Sequence, residues 1–387
     1  MRQLDGSLSA GGGVVDDMLL AEIAAAADAI EDARRLPPGL VRRLAEAGLF
    51  RLLVPGTSGG EEADVRTFAE TIERVASADA STAWCLYQCG VSALAVAMCV
   101  APEAAEEIFS DPRTVVASGA GRGTSLPVPG GHRISGLWAV ASGIHGASWL
   151  AANTRARAGG PAEGRVVGQM FVVPVAAAEV GDDWHVSGLR GTGSDSYRLD
   201  DVLVPTPFGA SYTALDPLPG PAPIGRLAPI TLYGVGVAAV ALGIASAALQ
   251  ALLDLAAVKI PHLGMGRLGE RPAAQASVGR SQVTLGAARA YLYDCIDAAW
   301  TEACEGHVTN PTRMVLRGAI VHAIESATSV VDAVHVAAGT SAIVAGLPFE
   351  RRFRDMHAVT QHPQAAASHF EAVGRSRLGD VDAIETL

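Results

Sequence analysis

Near the C-terminus an Arg354-Asp355 pair is followed by His357 and His362, residues whose side chains titrate near neutral pH and so suit proton donation or acceptance. A metal site does not follow from them. Their five-residue spacing puts the rings on different helix faces, and no acid stands between Asp355 and Glu371 to complete a ligand set. Trp138, followed by Ser142 and Gly143, is a second grouping: an apolar ring, a hydroxyl and a turn-forming glycine within six positions. On local sequence alone it is a strand entering a Ser-Gly turn, and His362 alone is an unremarked helical histidine. Trp84, Tyr87 and Gln88 share one helix and are candidates to line a pocket, with core packing as the default for such residues. Gly234-x-Gly236-x-x-Ala239 fits a relaxed dinucleotide pattern, but it lies inside an apolar helical run and follows no strand, so it is set aside. Lys259 is the only lysine, which confines Schiff-base chemistry to one position.

The elements that must position these groups come in a telling order. Helical spacing runs from Val14 to Arg35, from Pro37-Pro38 to Gly48, and over Asp64 to Ala76, Ser81 to Met98 and Pro102 to Phe109. Short β-rich runs follow at Thr114 to Ala117, Arg133 to Val140, Val166 to Val173 and Tyr197 to Val204. Pro207 to Pro229 reads as an irregular crossing, and helical patterns resume near 228 to 259, 273 to 305 and 312 to 338. The expected domains are a helical one over 1–111, a β domain over 112–206 and a helical bundle over 207–387. Ala and Gly dominate a composition that is 49% hydrophobic but 5% aromatic, favouring closely packed helices.

A net charge of −11 with no basic run argues against nucleic-acid or anionic-membrane partners. Pro229 to Leu249 carries no charge, yet its small residues suit a buried bundle or subunit-interface helix better than a membrane span, and no other segment resembles one. The five cysteines, an odd number without a C-x-x-C pair, read as reduced, buried thiols of a cytoplasmic protein. The leader, with Asp5 and Gly11-Gly12-Gly13, has no signal-peptide pattern.

Several of these stretches together resemble the acyl-CoA dehydrogenase superfamily, and within it the flavin-dependent hydroxylases. They are Leu36-Pro37 with Leu44 to Arg51, Pro55 and Gly59-Gly60; Ser81-Thr82-Ala83-Trp84; Trp138 with Ser142-Gly143; Gly188 to Asp195 running on to Asp200-Asp201-Val202 and Val204-Pro205; and Arg354-Asp355 with His362. The resemblance spans nearly the whole chain. It implies an N-terminal helical domain, a middle β-barrel-like domain and a C-terminal four-helix bundle, mostly α overall. It also implies reduced FMN or FAD with O2 as co-substrate, delivered by a separate NAD(P)H-dependent flavin reductase because no nicotinamide-binding unit is visible. The expected chemistry is hydroxylation of a small aromatic, phenolic or polyketide-type substrate through a C4a-hydroperoxyflavin, in a homotetramer.

In that resemblance, Trp138 supplies an apolar wall to the flavin, the Ser142 hydroxyl donates to N5 or the peroxide, and Gly143 belongs to the same contact. His362 stands where dehydrogenases carry a carboxylate base in a Tyr-Glu-Gly-Thr segment; here that place reads Thr360-Gln361-His362-Pro363-Gln364. Arg267, in the Gly264 to Gly269 loop, and Thr340 and Ser341, from a neighbouring subunit, occupy positions that bind flavin phosphate, and His145 lies on the substrate side. The 188–195 stretch itself reads as a scaffold turn held by an Arg190–Asp195 pair. Ser92 sits where some hydroxylases place another histidine. A dehydrogenase or oxidase of the same fold, an N-oxygenase of amino sugars and a non-catalytic binding protein are the alternatives.

Overall fold

The computed structural model describes residues 15–157, 166–262 and 266–380; the leader through Val14 and residues 263–265, which include Gly264, lie outside them. Helix starts follow local chemistry. Asp16, Asp64 and Asp79 cap α1 (Asp17–Ala33), α3 (Val65–Ala78) and α4 (Ala80–Cys99), each accepting an amide N–H three residues on at 2.7 Å. The helices α2 (Pro38–Glu46), α5 (Pro102–Phe109), α6 (Pro229–Val258), α7 (Pro272–Glu305), α8 (Asn310–Ala338) and α9 (Pro348–Val359) all carry proline in the first turn, where its missing N–H costs nothing. A last helix, α10, spans Ser368–Arg377.

Between α5 and α6 lies an eight-stranded mixed sheet. Its strands are β1 (Val116–Ser118), β2 (Ala120–Val128), β3 (Gly131–Ala139), β4 (Trp149–Arg157), β5 (Val166–Pro174), β6 (Glu179–Val180), β7 (Tyr197–Pro205) and β8 (Gly209–Ser211). The order is β6-β7-β3-β2-β4-β5-β8, with β1 parallel to β4. The sequence reading missed β2 and β4, whose glycines, alanines and arginines dilute the β-branched signal. It also took the crossing from 207 to 229 as irregular, whereas β8 pairs there with β5.

The bundle is built around α6, which packs against α3, α4, α8 and α9. Its small residues allow that closeness: a Cβ on Gly243 would lie 2.3 Å from the Glu73 carbonyl oxygen, and one on Gly236 would lie 2.5 Å from the Tyr87 ring. Residues Leu232 and Val235 to Ala245 are buried within the protomer, so the Ala/Gly run serves this subunit's own core and is not itself a surface for a neighbouring one. Helices α4 and α8 are also long and apolar enough to cross a membrane, which the sequence reading had granted to one segment only. In all three the apolar window faces protein, 78%, 83% and 72% buried for α4, α6 and α8.

Candidate active site

The site is organised by one indole. Trp84, on α4, donates from Nε1 to Ser142 Oγ at 3.1 Å, and its ring meets the His362 imidazole edge-on with centroids 5.4 Å apart. Two groups that lie 220 positions apart in the chain are thus brought to opposite parts of one side chain. Ser142 lies three residues beyond β3, in the turn where Gly143 adopts φ +76 and a Cβ would press to 3.0 Å on Cys89 Sγ. Glycine at 143 therefore lets the turn close on α4.

Donor and acceptor counting gives the hydroxyls behind Ser142 a preferred direction. With Thr192 Oγ1 donating to the Leu189 carbonyl at 2.8 Å, the 2.7 Å contact with Ser194 is donated by Ser194 and the 2.8 Å contact between Ser194 and Ser142 by Ser142, the order that makes the most hydrogen bonds within the protein. The Ser142 proton thus points inward. In that order what Ser142 offers outward is its second lone pair, which has no partner among the described residues, so it faces outward as an acceptor where the sequence suggests a donor.

His362 caps the short 3-10 turn Pro363–Ala365, just beyond α9, and its Nδ1 accepts the Gln364 amide N–H at 3.3 Å. That contact places the ring proton on Nε2, which has no partner among the described residues. Burial pushes the imidazole down to about 4, so it is neutral at pH 7. The sequence reading gave it a pKa near neutral and the option of taking a phenolic proton; desolvation removes the first, and the Nδ1 contact leaves Nε2 as a donor.

The other anticipated residues are placed as follows. Trp138 is fully enclosed: its Nε1 donates to the Asn153 carbonyl at 2.8 Å, its ring stacks on Tyr197, and Gly123 and Gly136 have no Cβ because one would lie 2.2 Å and 2.9 Å from the indole. It is core of the sheet and offers no wall to a ligand. Tyr87 is likewise enclosed against Gly236, while half-buried Gln88 donates to its hydroxyl at 2.9 Å. His145 has both ring nitrogens engaged, Nε2 with Asp195 at 2.6 Å and Nδ1 beside Arg35 at 3.5 Å. It borders a cavity of only about 10 Å³ and acts as a latch, not a substrate contact. Asp195 also receives the Asp183 and Trp184 amides at 2.7 Å, and Arg190 lies 3.7 Å from Glu31, so the expected Arg190–Asp195 pair does not form.

Exposed Arg267 and Thr340 and half-buried Ser341 gather at another corner, joined by Lys259: its carbonyl accepts from Leu268 N–H at 2.8 Å, and its Nζ donates to Ser341 Oγ at 2.8 Å and Ala338 O at 2.6 Å. An open groove of about 700 Å³ borders Ser246, Gln250, Asp254, Val258, Phe349 and Arg352, and includes neither Ser142 nor His362. The chemistry, not the volume, locates the site. Of the cysteines, Cys85, Cys89 and Cys295 are buried, Cys99 is half-buried and Cys304 is exposed, so burial of all five does not hold.

Several side chains take on roles that the sequence did not show. Thr192 and Ser194 sit in the Gly188 to Asp195 stretch that had been assigned to scaffold. Ser92 Oγ lies 2.8 Å from Ser118 Oγ and 3.2 Å from the Tyr233 hydroxyl, a hydroxyl cluster between α4, β1 and α6. Arg317, 2% exposed on α8, donates to the Gln364 side chain and meets no carboxylate among the described residues; desolvation lowers its pKa to about 10. Asp355 accepts the Leu189 amide at 2.6 Å and is pushed up to about 7 by burial. This bond clamps α9 to the 188–195 turn, and Arg354 adds a bond to the Ser187 carbonyl. The Arg-Asp pair therefore holds the turn that carries the hydroxyl chain.

Comparison with known proteins gives the family. The chain matches the family models for the acyl-CoA dehydrogenase N-terminal domain over residues 13–107 and the C-terminal domain over 235–367. It is 30% identical to the "Flavin-dependent monooxygenase, oxygenase subunit HsaA" of Rhodococcus jostii, covering 89% of this chain and 92% of that one. It is 32% identical to an indole-3-acetate monooxygenase of Pseudomonas putida over 81% of this chain and 80% of that one. Among solved structures, XiaF from Streptomyces in complex with FADH2 and glycerol superposes with a TM-score of 0.86 at 26% identity, over 94% of this chain and 93% of that one. With an imidazole at 362 and no carboxylate in the segment that follows Arg354-Asp355, the chain belongs to the flavin-dependent monooxygenases of the acyl-CoA dehydrogenase fold.

Proposed function

We propose that this monooxygenase is the oxygenase component of a two-component system, hydroxylating a small aromatic, phenolic or polyketide-type substrate with O2 and reduced FMN or FAD received from a separate NAD(P)H-dependent reductase. The observation that carries the reading is the Trp84 centre, with a neutral imidazole on one side and a hydroxyl on the other, whose outward edges, His362 Nε2–H and a Ser142 lone pair, have no partner among the described residues. Such edges fit a planar heterocycle that itself carries donors and acceptors. When bound, the reduced flavin supplies the electron pair that splits O2, one oxygen atom entering the substrate and the other leaving as water.

The residues do the positioning. Ser142 holds the ring edge, Trp84 walls it, and His362 donates from Nε2 to an oxygen beside the ring or to the phenolic oxygen of the substrate. Buried surroundings limit water, which keeps these hydrogen bonds strong. The Arg267, Thr340 and Ser341 corner is the candidate flavin-phosphate site, contributed to a neighbouring subunit in a homotetramer. Exposed Val258, Ile260, Val336 and Ile343, 67–79% accessible near that corner, support association there. A cytoplasmic setting suits delivery of reduced flavin.

Relatives named for indole-3-acetate, resorcinol and p-hydroxyphenylacetate support an aromatic substrate. The test is a single turnover under 18O2 with reduced flavin and a panel of phenols and indoles. One 18O atom in the product is expected; a desaturated product without label favours the dehydrogenase reading.

A further inference from the structure

The inward-pointing Ser142 proton has a consequence for the redox state of the ligand. In a reduced isoalloxazine N5 carries a hydrogen and donates; in the oxidised ring N5 is bare and accepts. A Ser142 whose proton is committed to Ser194 can receive a donated hydrogen bond but cannot give one. The order Ser142 to Ser194 to Thr192 to Leu189 O, at 2.8, 2.7 and 2.8 Å, is therefore matched to the reduced ring.

The order can also reverse. Trp184 Nε1 and the Thr192 backbone N–H donate to the same Leu189 carbonyl at 3.1 and 3.2 Å, so that carbonyl keeps two partners if the Thr192 hydroxyl turns away. Thr192 would then donate to Ser194, Ser194 to Ser142, and Ser142 outward, while Trp84 Nε1 continues to donate to Ser142 in both states. Reversal loses the Thr192 bond to Leu189 and gains none within the protein. No acid or base terminates the row of hydroxyls, so it carries orientation and not a net proton.

We propose that Ser194 and Thr192 are positioning residues that make Ser142 a hydrogen-bond acceptor and thereby select reduced over oxidised flavin at this site. One net hydrogen bond corresponds to a preference on the order of tenfold. Such a bias would load the protein from a reductase and release spent cofactor. The proposal rests on the placement of the flavin ring against Ser142 given above.

The test is equilibrium binding of FMN and FAD, reduced under anaerobic conditions and oxidised in air, to the full-length protein and five variants, one of them the Ser142→Ala, Ser194→Ala double, with thermal melting as the folding control. The unaltered protein should bind the reduced form about tenfold more tightly. Ser194→Ala removes the inward acceptor, and Thr192→Val sends the Ser194 proton toward Ser142; both should bring the ratio close to one, chiefly by weakening the reduced form. Thr192→Ser keeps the chain and should restore the ratio. Ser142→Ala should make a second change at 194 silent. A merely structural role for Ser194 and Thr192 predicts equal weakening of both redox forms, and that result overturns the proposal. Equal affinities in the unaltered protein overturn it while leaving the oxygenase reading intact; no flavin binding in either state overturns both.

Discussion

Two buried polar centres in this protein are built in opposite ways. At the junction of α3, α6 and α7, Glu73 accepts from Arg289 Nε at 2.7 Å, from Arg289 Nη2 at 2.6 Å and from the Tyr293 hydroxyl at 2.8 Å, while Arg289 also donates to Ser246. The carboxylate meets donors at both oxygens. At the Trp84 centre, by contrast, His362 Nε2–H and a Ser142 lone pair have no partner among the described residues. Burying unsatisfied polar groups is costly, so a fold keeps them where a ligand completes them. Among the described residues, buried side-chain atoms without a partner also occur at Arg51, His132, Asn153, Thr154 and Arg190, so the open edges mark the candidate site only together with the chemistry of Ser142 and His362; cavity volume does not mark it, since the 700 Å³ groove contains neither.

The largest effect is expected where matching is complete. Glu73→Ala leaves Arg289 and Tyr293 without their acceptor and should lower unfolding free energy by about 3–5 kcal/mol in denaturant titration. A loss below about 1 kcal/mol would mean that the junction is not the scaffold described. At the open centre the pattern should invert: His362→Ala should cost about 100-fold in coupled hydroxylation with little change in melting temperature, and His362→Gln, which keeps a donor, should cost less. Because the imidazole sits at about 4, the kcat/KM profile should show no limb from it between pH 5 and 9; an acid limb near 6.5 that disappears in His362→Gln would contradict a neutral donor.

The smallest effect concerns the clamp between the two regions. The Asp355 carboxyl, raised to about 7, holds in the folded state a proton that the unfolded chain releases near its usual value of about 3.9. Folding is therefore penalised progressively as pH rises from about 4 to 7, and fully above that. Asp355→Asn keeps an acceptor for the Leu189 amide and removes the charge, so it should raise stability at pH 8, with the rise from about 3.9 to about 7 setting a ceiling of about 4 kcal/mol, and should leave it unchanged near pH 4. Equal effects at both pH values would rule out the titration.

Much of the fold was legible because helix spacing, capping aspartates and first-turn prolines act locally. Pro102 to Phe109 was read to the residue, and α6, α7 and α8 within two residues at their bounds. The family followed from the order of short stretches, and His362 from the absence of an acid after Asp355. Side-chain direction was not legible. Trp138 turns into the sheet because Gly123 and Gly136 leave room for its ring, and His145 turns to Asp195 because the 188–195 turn comes close. Neither fact is local. Thr192 and Ser194 were passed over because a glycine-rich turn looks like scaffold until its hydroxyls are seen to line up behind Ser142, and Arg317 because its lack of a carboxylate partner exists only in three dimensions.

The central claim is that a flavin ring sits at the Trp84 centre between Ser142 and His362. An anaerobic crystal structure with reduced flavin bound tests it most directly. The account predicts the ring N5 within about 3 Å of Ser142 Oγ, with His362 Nε2 directed to the space beside the ring. A ring bound elsewhere, or one turned so that N5 faces away from Ser142, would contradict it.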